Sequence, residues 1–145
     1  MIFRFAFFVS IAFISCNETS DIQKVNMVIY QLIDADNRSD INSVIQAYSD
    51  NIEFHPANKP SLKGISDIRS SYEKLFKENR LEIKTEIKET IVNGNEAIVK
   101  GVNTGTIKSI QDSGAKKIND YYVAYLSKES NGTWKITRLQ WQPNN

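Results

Sequence analysis

Asn51-Ile-Glu-Phe-His-Pro-Ala-Asn-Lys-Pro-Ser-Leu-Lys-Gly64 is the stretch on which the reading of this chain turns. It carries the only histidine, His55, and two of the three prolines, Pro56 and Pro60. Each proline steers the residue before it, His55 or Lys59, away from helical dihedrals. The alternation in Ile52-Glu-Phe54 suits a short strand that runs into a loop of fixed backbone. Histidine titrates near neutral pH without help, so a loop that holds one still is a natural seat for a binding or catalytic group.

Helical patterns flank this loop. Ser20-Asp-Ile-Gln23 reads as a capping box, with the Ser20 hydroxyl taking an orphan N–H and Gln23 reaching back. Ile22, Val25, Val28, Ile29, Leu32 and Ile33 then form one apolar stripe of a helix to about Asp36. Tyr30 lies off that stripe, which predicts exposure. Asn37-Arg-Ser-Asp40 breaks the pattern, and Ser39 is the expected cap of a second helix that carries Ile41, Val44, Ile45 and Tyr48. So short a break predicts a helical hairpin. Past the loop, Gly64 and Ser66 open a third helix whose buried face holds Ile68, Tyr72, Leu75 and Phe76.

From Leu81 the period changes from 3.6 to 2. Leu81, Ile83, Thr85 and Ile87 alternate with Glu82, Lys84, Glu86 and Lys88, a strand with one wet face. Asn93-Gly94 signals a type I′ hairpin turn. Ala97 to Ile110 returns, with Gly101 and Gly105 marking a bulge or a close approach. Asp112-Ser-Gly114 turns into Ile118–Ser127, rich in tyrosine, and Asn131-Gly132 turns into Thr133–Gln142. In that last strand the spacing between Ile136 and Leu139 breaks the alternation, which predicts a β-bulge near Thr137–Arg138.

The chain of 145 residues has room for one domain, and its composition, 41% hydrophobic and 24% charged, is ordinary for a globular protein. The first residues are not ordinary. Arg4 precedes the apolar run Phe5–Ile14, whose ten residues reach only about 15 Å as a helix, half a bilayer core. The run ends at Ser15 and the sole cysteine, Cys16. This resembles a bacterial lipoprotein signal, which implies removal of residues 1–15, lipidation of Cys16, a tether over 16–20 and a domain over 21–142. The protein would then be exported and held at the periplasmic or cell-surface side of a bacterial membrane by acyl chains, each methylene adding about 0.8 kcal/mol. Removing Arg4 leaves 17 basic residues against 17 acidic. That balance argues against a nucleic-acid partner. A single cysteine and a single histidine exclude thiolate and multi-histidine metal sites, and no cofactor is implied.

The order of helix, helix, short strand, helix and four antiparallel strands resembles the nuclear transport factor 2-like superfamily, which includes ketosteroid isomerase and the polyketide cyclase SnoaL. The residues that carry the resemblance are Ala47-Tyr-Ser-Asp-Asn-Ile-Glu-Phe54, Pro56, Pro60, Gly64, and the ending Gly132-Thr-Trp-Lys-Ile136 through Trp141. It covers about Ile22 to Gln142. It implies an α+β, cone-shaped fold, with three N-terminal helices packed on a curved antiparallel sheet. It also implies a pocket between the two layers and homodimerisation through the outer sheet face.

In ketosteroid isomerase a general-base aspartate precedes the proline that follows the short strand; here His55 stands there, so His55 is the candidate base. A second titratable partner is not visible: Asp120 sits near the start of its strand, while Tyr122 and Tyr125 fill the middle. Phe54, His55, Tyr72, Tyr122, Tyr125 and Trp141 are the candidate ligand-binding residues, the tyrosines offering a ring wall and a polar tip. Helical or strand spacing alone also explains Phe54 and Tyr72 as core, along with Tyr48, Phe76 and Trp134. The expected function is binding of a small, largely apolar ligand by a membrane-anchored domain. The alternatives are an acid–base enzyme with His55 as base, and an interaction domain with a vestigial pocket.

Overall fold

The computed structural model describes residues 17–144, and of residues 17–20 only the backbone. The signal segment 1–15, Cys16 and the Ser20 side chain therefore lie outside the described residues. Nine elements follow in order: α1 (Asn17–Arg38), α2 (Ile41–Ala47), β1 (Tyr48–His55), β2 (Leu62–Lys63), α3 (Gly64–Glu78), β3 (Asn79–Asn93), β4 (Glu96–Ser109), β5 (Ala115–Lys128) and β6 (Trp134–Pro143). Three helices pack on one six-stranded sheet of order β2-β1-β6-β5-β4-β3, antiparallel throughout except for the parallel pair β1–β6. This is the α+β cone expected from the sequence, with one strand, β2, beyond the short strand and the four long ones read there.

Most of the α1 stripe lies where the periodicity puts it: Val25, Ile29, Leu32 and Ile33 are buried and Val28 half-buried, while Ile22, in the part of α1 before the core begins, is exposed, as is Tyr30 at 47%. The helix ends in a paired clasp. Ser39 adopts φ +56°, its N–H donates to the Asp36 carbonyl at 3.1 Å, and the Asp40 N–H donates to the Ala35 carbonyl at 2.9 Å. These are the two bonds of a Schellman stop, made with serine where glycine is usual. Asp40, not Ser39, caps α2: its carboxylate accepts the Ser43 N–H at 3.1 Å and the Ser43 hydroxyl at 2.6 Å. With Ser39 committed to the stop, the next residue is the first free to cap. α2 ends at Ala47, and Tyr48 opens β1 rather than closing the helix, because it pairs with Ile136 of β6.

Two strand features set the curvature and the interior space. Thr137 is the extra residue of β6, since Tyr125 faces Arg138 while Leu126 faces Ile136; the predicted bulge is there. A second register shift falls between Ile87 and Glu89 on β3. Near it Gly101 lets Tyr122 lie flat, because a Cβ at that position would stand 2.4 Å from the Tyr122 hydroxyl. The β3–β4 turn uses Gly94 and Asn95 as its central pair, flanked by Asn93 and Glu96. Only Gly94 has positive φ, the type II′ pattern rather than the type I′ expected from Asn93-Gly94. The buried sides of both layers meet in one core that runs from Val25 and Ile29 through Ile68 and Phe76 to Val99, Ala124, Leu126 and Ile136. No described helix is long and apolar enough to cross a membrane.

Candidate ligand site between helices and sheet

The clasp that ends α1 also aims two neighbouring side chains. Asn37 reaches β3, where its amide donates to the Ile83 carbonyl at 2.8 Å and its oxygen accepts the Ile83 N–H at 2.7 Å. That two-point bond locks the last turn of α1 to the sheet and leaves Asp36 pointing into the core. Asp36 has no exposed surface, and neither carboxyl oxygen has a partner with hydrogen-bond geometry. Burial pushes the carboxyl up to about 8, and the nearby Tyr72 hydroxyl only partly offsets it. At neutral pH the group is therefore mostly the uncharged acid.

Two phenols complete the cluster. Tyr48, the first residue of β1, and Tyr72, in the middle of α3, are 3% and 4% exposed, and their hydroxyl oxygens stand 3.2 Å apart. Burial, then the Asp36 carboxyl, raises both above the ordinary phenol range, so both remain protonated. The Tyr72 ring meets Phe76 edge to face, with centroids 5.4 Å apart. Three oxygen-bearing side chains from α1, β1 and α3 thus converge inside an apolar interior.

A second polar strip lies along the sheet beside this cluster. Thr85, Asn103 and Asp120 are cross-strand neighbours on β3, β4 and β5, and Thr85 is two residues along β3 from the Ile83 that Asn37 grips. Asn103 is buried with its side-chain oxygen unpartnered. The Tyr122 and Thr85 hydroxyls are 3.1 Å apart. Desolvation raises Asp120, against the pull of Lys116. Among the described residues no three His, Cys, Asp or Glu side chains come together as metal ligands.

The family model of the SnoaL-like domain matches residues 29–138, well over half of the chain. The chain belongs to the SnoaL-like family. No curated protein matches this sequence. Among solved structures, this SnoaL-like domain is similar to a ketosteroid isomerase-like protein from Erwinia carotovora atroseptica, at 22% identity and a TM-score of 0.81, over 89% of this chain and 98% of that one. It is also similar to a nuclear transport factor 2-like superfamily protein from Salmonella enterica, at 16% identity and a TM-score of 0.76, over 88% and 94%. A domain of unknown function from Nostoc punctiforme matches at 21% identity and a TM-score of 0.70, over 89% and 80%. At these identities the likeness establishes the fold: the SnoaL-like, nuclear transport factor 2-like cone.

The residues singled out from the sequence divide between the two faces of the SnoaL-like sheet. Phe54, Tyr72 and Tyr122 are buried on the helix side, and Phe54 meets Trp141 edge to face at 5.1 Å. Tyr125 is on the opposite face of β5 from Tyr122, with the Arg138 guanidinium 5.8 Å from its ring centroid. His55 shares the outer side of β1 with Glu53. Its Nδ1 is 2.8 Å from the Ser61 hydroxyl, and its Nε2 is 3.6 Å from a Glu53 oxygen that Arg138 also approaches at 3.5 Å. With Pro56, Ala57, Asn58 and Trp141 it borders an open depression of about 490 Å³ at the end of β1 and β6. The histidine and the Asp36 cluster are therefore on different faces of the domain.

Asp36 is the residue that sequence reasoning passed over. It follows Ile29, Leu32 and Ile33 at the helical spacings of seven, four and three, so it falls on the buried stripe itself. An acid in that register was the available signal.

Proposed function

We propose that this SnoaL-like domain is anchored at a bacterial membrane through a lipidated Cys16 and binds a small, largely apolar molecule between its helices and its sheet. The observation that carries the binding reading is Asp36, a carboxyl wholly buried in the core whose oxygens make no hydrogen bond of good geometry, with the Tyr72 hydroxyl the polar group beside it. Leaving a buried polar group unpartnered costs about 1–3 kcal/mol, and a leucine would fill similar space without that cost. Phe54, Tyr72 and Tyr122 are buried on the same side of the sheet as Asp36, and small-molecule sites combine such rings with a few polar groups. The test is to purify the domain, denature it and identify any released small molecule by mass spectrometry, then to add it back. Wild type should regain the molecule and Tyr72→Ala should not; retention by Tyr72→Ala would move the site elsewhere. For the anchor, Cys16→Ser should shift the full chain from membranes to the soluble fraction, and a variant that stays with the membrane would end that part of the reading.

A second reading rests on the outer sheet face. Ile91, Ile98 and Tyr125 stand in one cross-strand row there, and Ile91 is 46% exposed. That row supports a homodimer, which Tyr125→Glu should convert to monomer in sedimentation. The acid–base enzyme reading places His55 beside Glu53 and Ser61 in the outer cluster. Its measurement is whether His55→Ala changes turnover of any substrate that wild type converts.

A further inference from the structure

We propose that the Asp36–Tyr48–Tyr72 cluster is an amine-recognition site, and that the molecule this domain takes is a hydrophobic ammonium cation. The inference rests on the binding reading above and names the ligand class for that interior.

The first argument is the balance of donors and acceptors. Asp36 is the only acidic or basic side chain buried among the described residues, so the interior holds a carboxyl and no built-in counter-cation. Neither its oxygens nor the Asn103 oxygen makes a hydrogen bond of good geometry, and the donors beside the acid are the Tyr48 and Tyr72 hydroxyls, which already face each other at 3.2 Å. An ammonium group is the complement, since it carries donors and no acceptor. The second argument is the choice of residue. A neutral ligand could be held by asparagine, which forms the same number of hydrogen bonds and has no ionisation to suppress. A carboxyl is favoured over that amide where a full charge is used. The third is the surroundings: the Tyr72 side chain beside the acid carries an aromatic ring that meets Phe76 edge to face, and aromatic rings attract cations.

The groups that face Asp36 are the Tyr72 phenol from α3 and the Tyr48 phenol from β1, both held protonated. Asp36 therefore supplies the only proton that moves. The ligand arrives as an ammonium ion, the Asp36 O–H bond breaks, its proton passes to solvent, and the carboxylate pairs with the cation. One proton is released per ligand bound below pH 8. Because Asp36 is fully covered, the ligand reaches it only when the elements around it part, which makes exchange slow.

The experiment titrates the purified full-length domain, in detergent, with phenethylamine, phenethyl alcohol and hydrocinnamate by calorimetry, in two buffers of different ionisation enthalpy. These probes share a phenyl ring on a short chain and differ in charge. The expected result is amine binding at least tenfold tighter than alcohol binding, with proton release and no hydrocinnamate binding. Asp36→Asn should erase the preference for amine over alcohol, and Tyr72→Phe should reduce it. Thermal melting of each variant separates loss of binding from loss of fold. If the alcohol binds as tightly as the amine, or Asp36→Asn keeps the preference, the amine assignment is overturned while the binding reading stands. If none of the probes binds wild type, the assignment falls. The binding reading then stands or falls on what is released from the purified domain.

Discussion

Replacing Asp36 with asparagine should change how stability depends on pH, and the size of the change follows from burial. In the folded chain the carboxyl holds its proton up to about pH 8, whereas the ordinary value taken for the unfolded chain is 3.8. Between these values the native state binds the extra proton, so unfolding becomes more favourable as pH rises. Stability is highest below the unfolded value, falls by about 1.4 kcal/mol per pH unit between roughly pH 4 and 8, and levels off above. Over the full window the loss is about 6 kcal/mol, a large part of the roughly 5–15 kcal/mol that holds a domain together. Relaxation around the charged form makes this an upper bound.

Asparagine has no such window. Its buried amide costs something of its own, about 1–3 kcal/mol, but that cost does not vary with pH. Comparing wild type with Asp36→Asn at two pH values therefore cancels it. Between pH 5 and pH 7 the variant should gain about 3 kcal/mol on wild type. With a urea slope of about 2 kcal/mol per molar, the gap between their midpoints should widen by roughly 1.5 M. The assay is urea unfolding followed by tryptophan fluorescence at several pH values. Parallel stability–pH curves for the two proteins would refute the claim that Asp36 is buried and unpaired in solution.

Three further outcomes test other parts of the structure. Asn37→Ala removes both bonds to Ile83 and should destabilise the domain by about 2–4 kcal/mol, with faster amide exchange at Ile83. A loss under half a kcal/mol would show that the corner is not pinned there. Gly101→Ala puts a methyl 2.4 Å from the Tyr122 hydroxyl and 2.6 Å from the Glu86 carbonyl, so it should cost about 1–3 kcal/mol. An unchanged melting temperature would mean that Tyr122 does not lie across β4. Tyr48→Phe removes one of the paired hydroxyls while keeping the ring, and should cost about 1 kcal/mol in urea unfolding. No loss at all would put the stabilising contribution of Tyr48 in the ring alone, and refute the hydroxyl pair.

The parts of the fold written in local pattern were legible from the sequence. The α1 stripe from Val25 on, the change of period at Leu81 and the bulge at Thr137 each depend on side chains a few residues apart, and each stands as read. What failed depended on distant partners or on backbone shapes that residue type does not announce. Tyr48 continues the helical spacing of Ile41, Val44 and Ile45, yet a strand claims it because Ile136, far along the chain, lies beside it. The stop at Ser39 was hidden because serine does the work of glycine there. The type of the hairpin turn followed from register, which places Gly94 rather than Asn93 first in the turn.

The sequence reading centred on His55 and did not single out Asp36. A lone histidine beside prolines draws attention because its chemistry is visible in one residue, and the structure gives it ordinary neighbours, Glu53 and Ser61, on the outer face. The unusual chemistry belongs to a residue whose type is common and whose position is not. Asp36 is one of 17 acidic residues, distinguished only by the side of the helix on which it falls and by what covers that side. Helical spacing could have supplied the first half of that statement. The second half needed Tyr48 and Tyr72, which reach the same place from β1 and α3 and bring no cation with them. Shielding from water, more than any contact, is what sets this carboxyl apart, and shielding is a property of the whole fold.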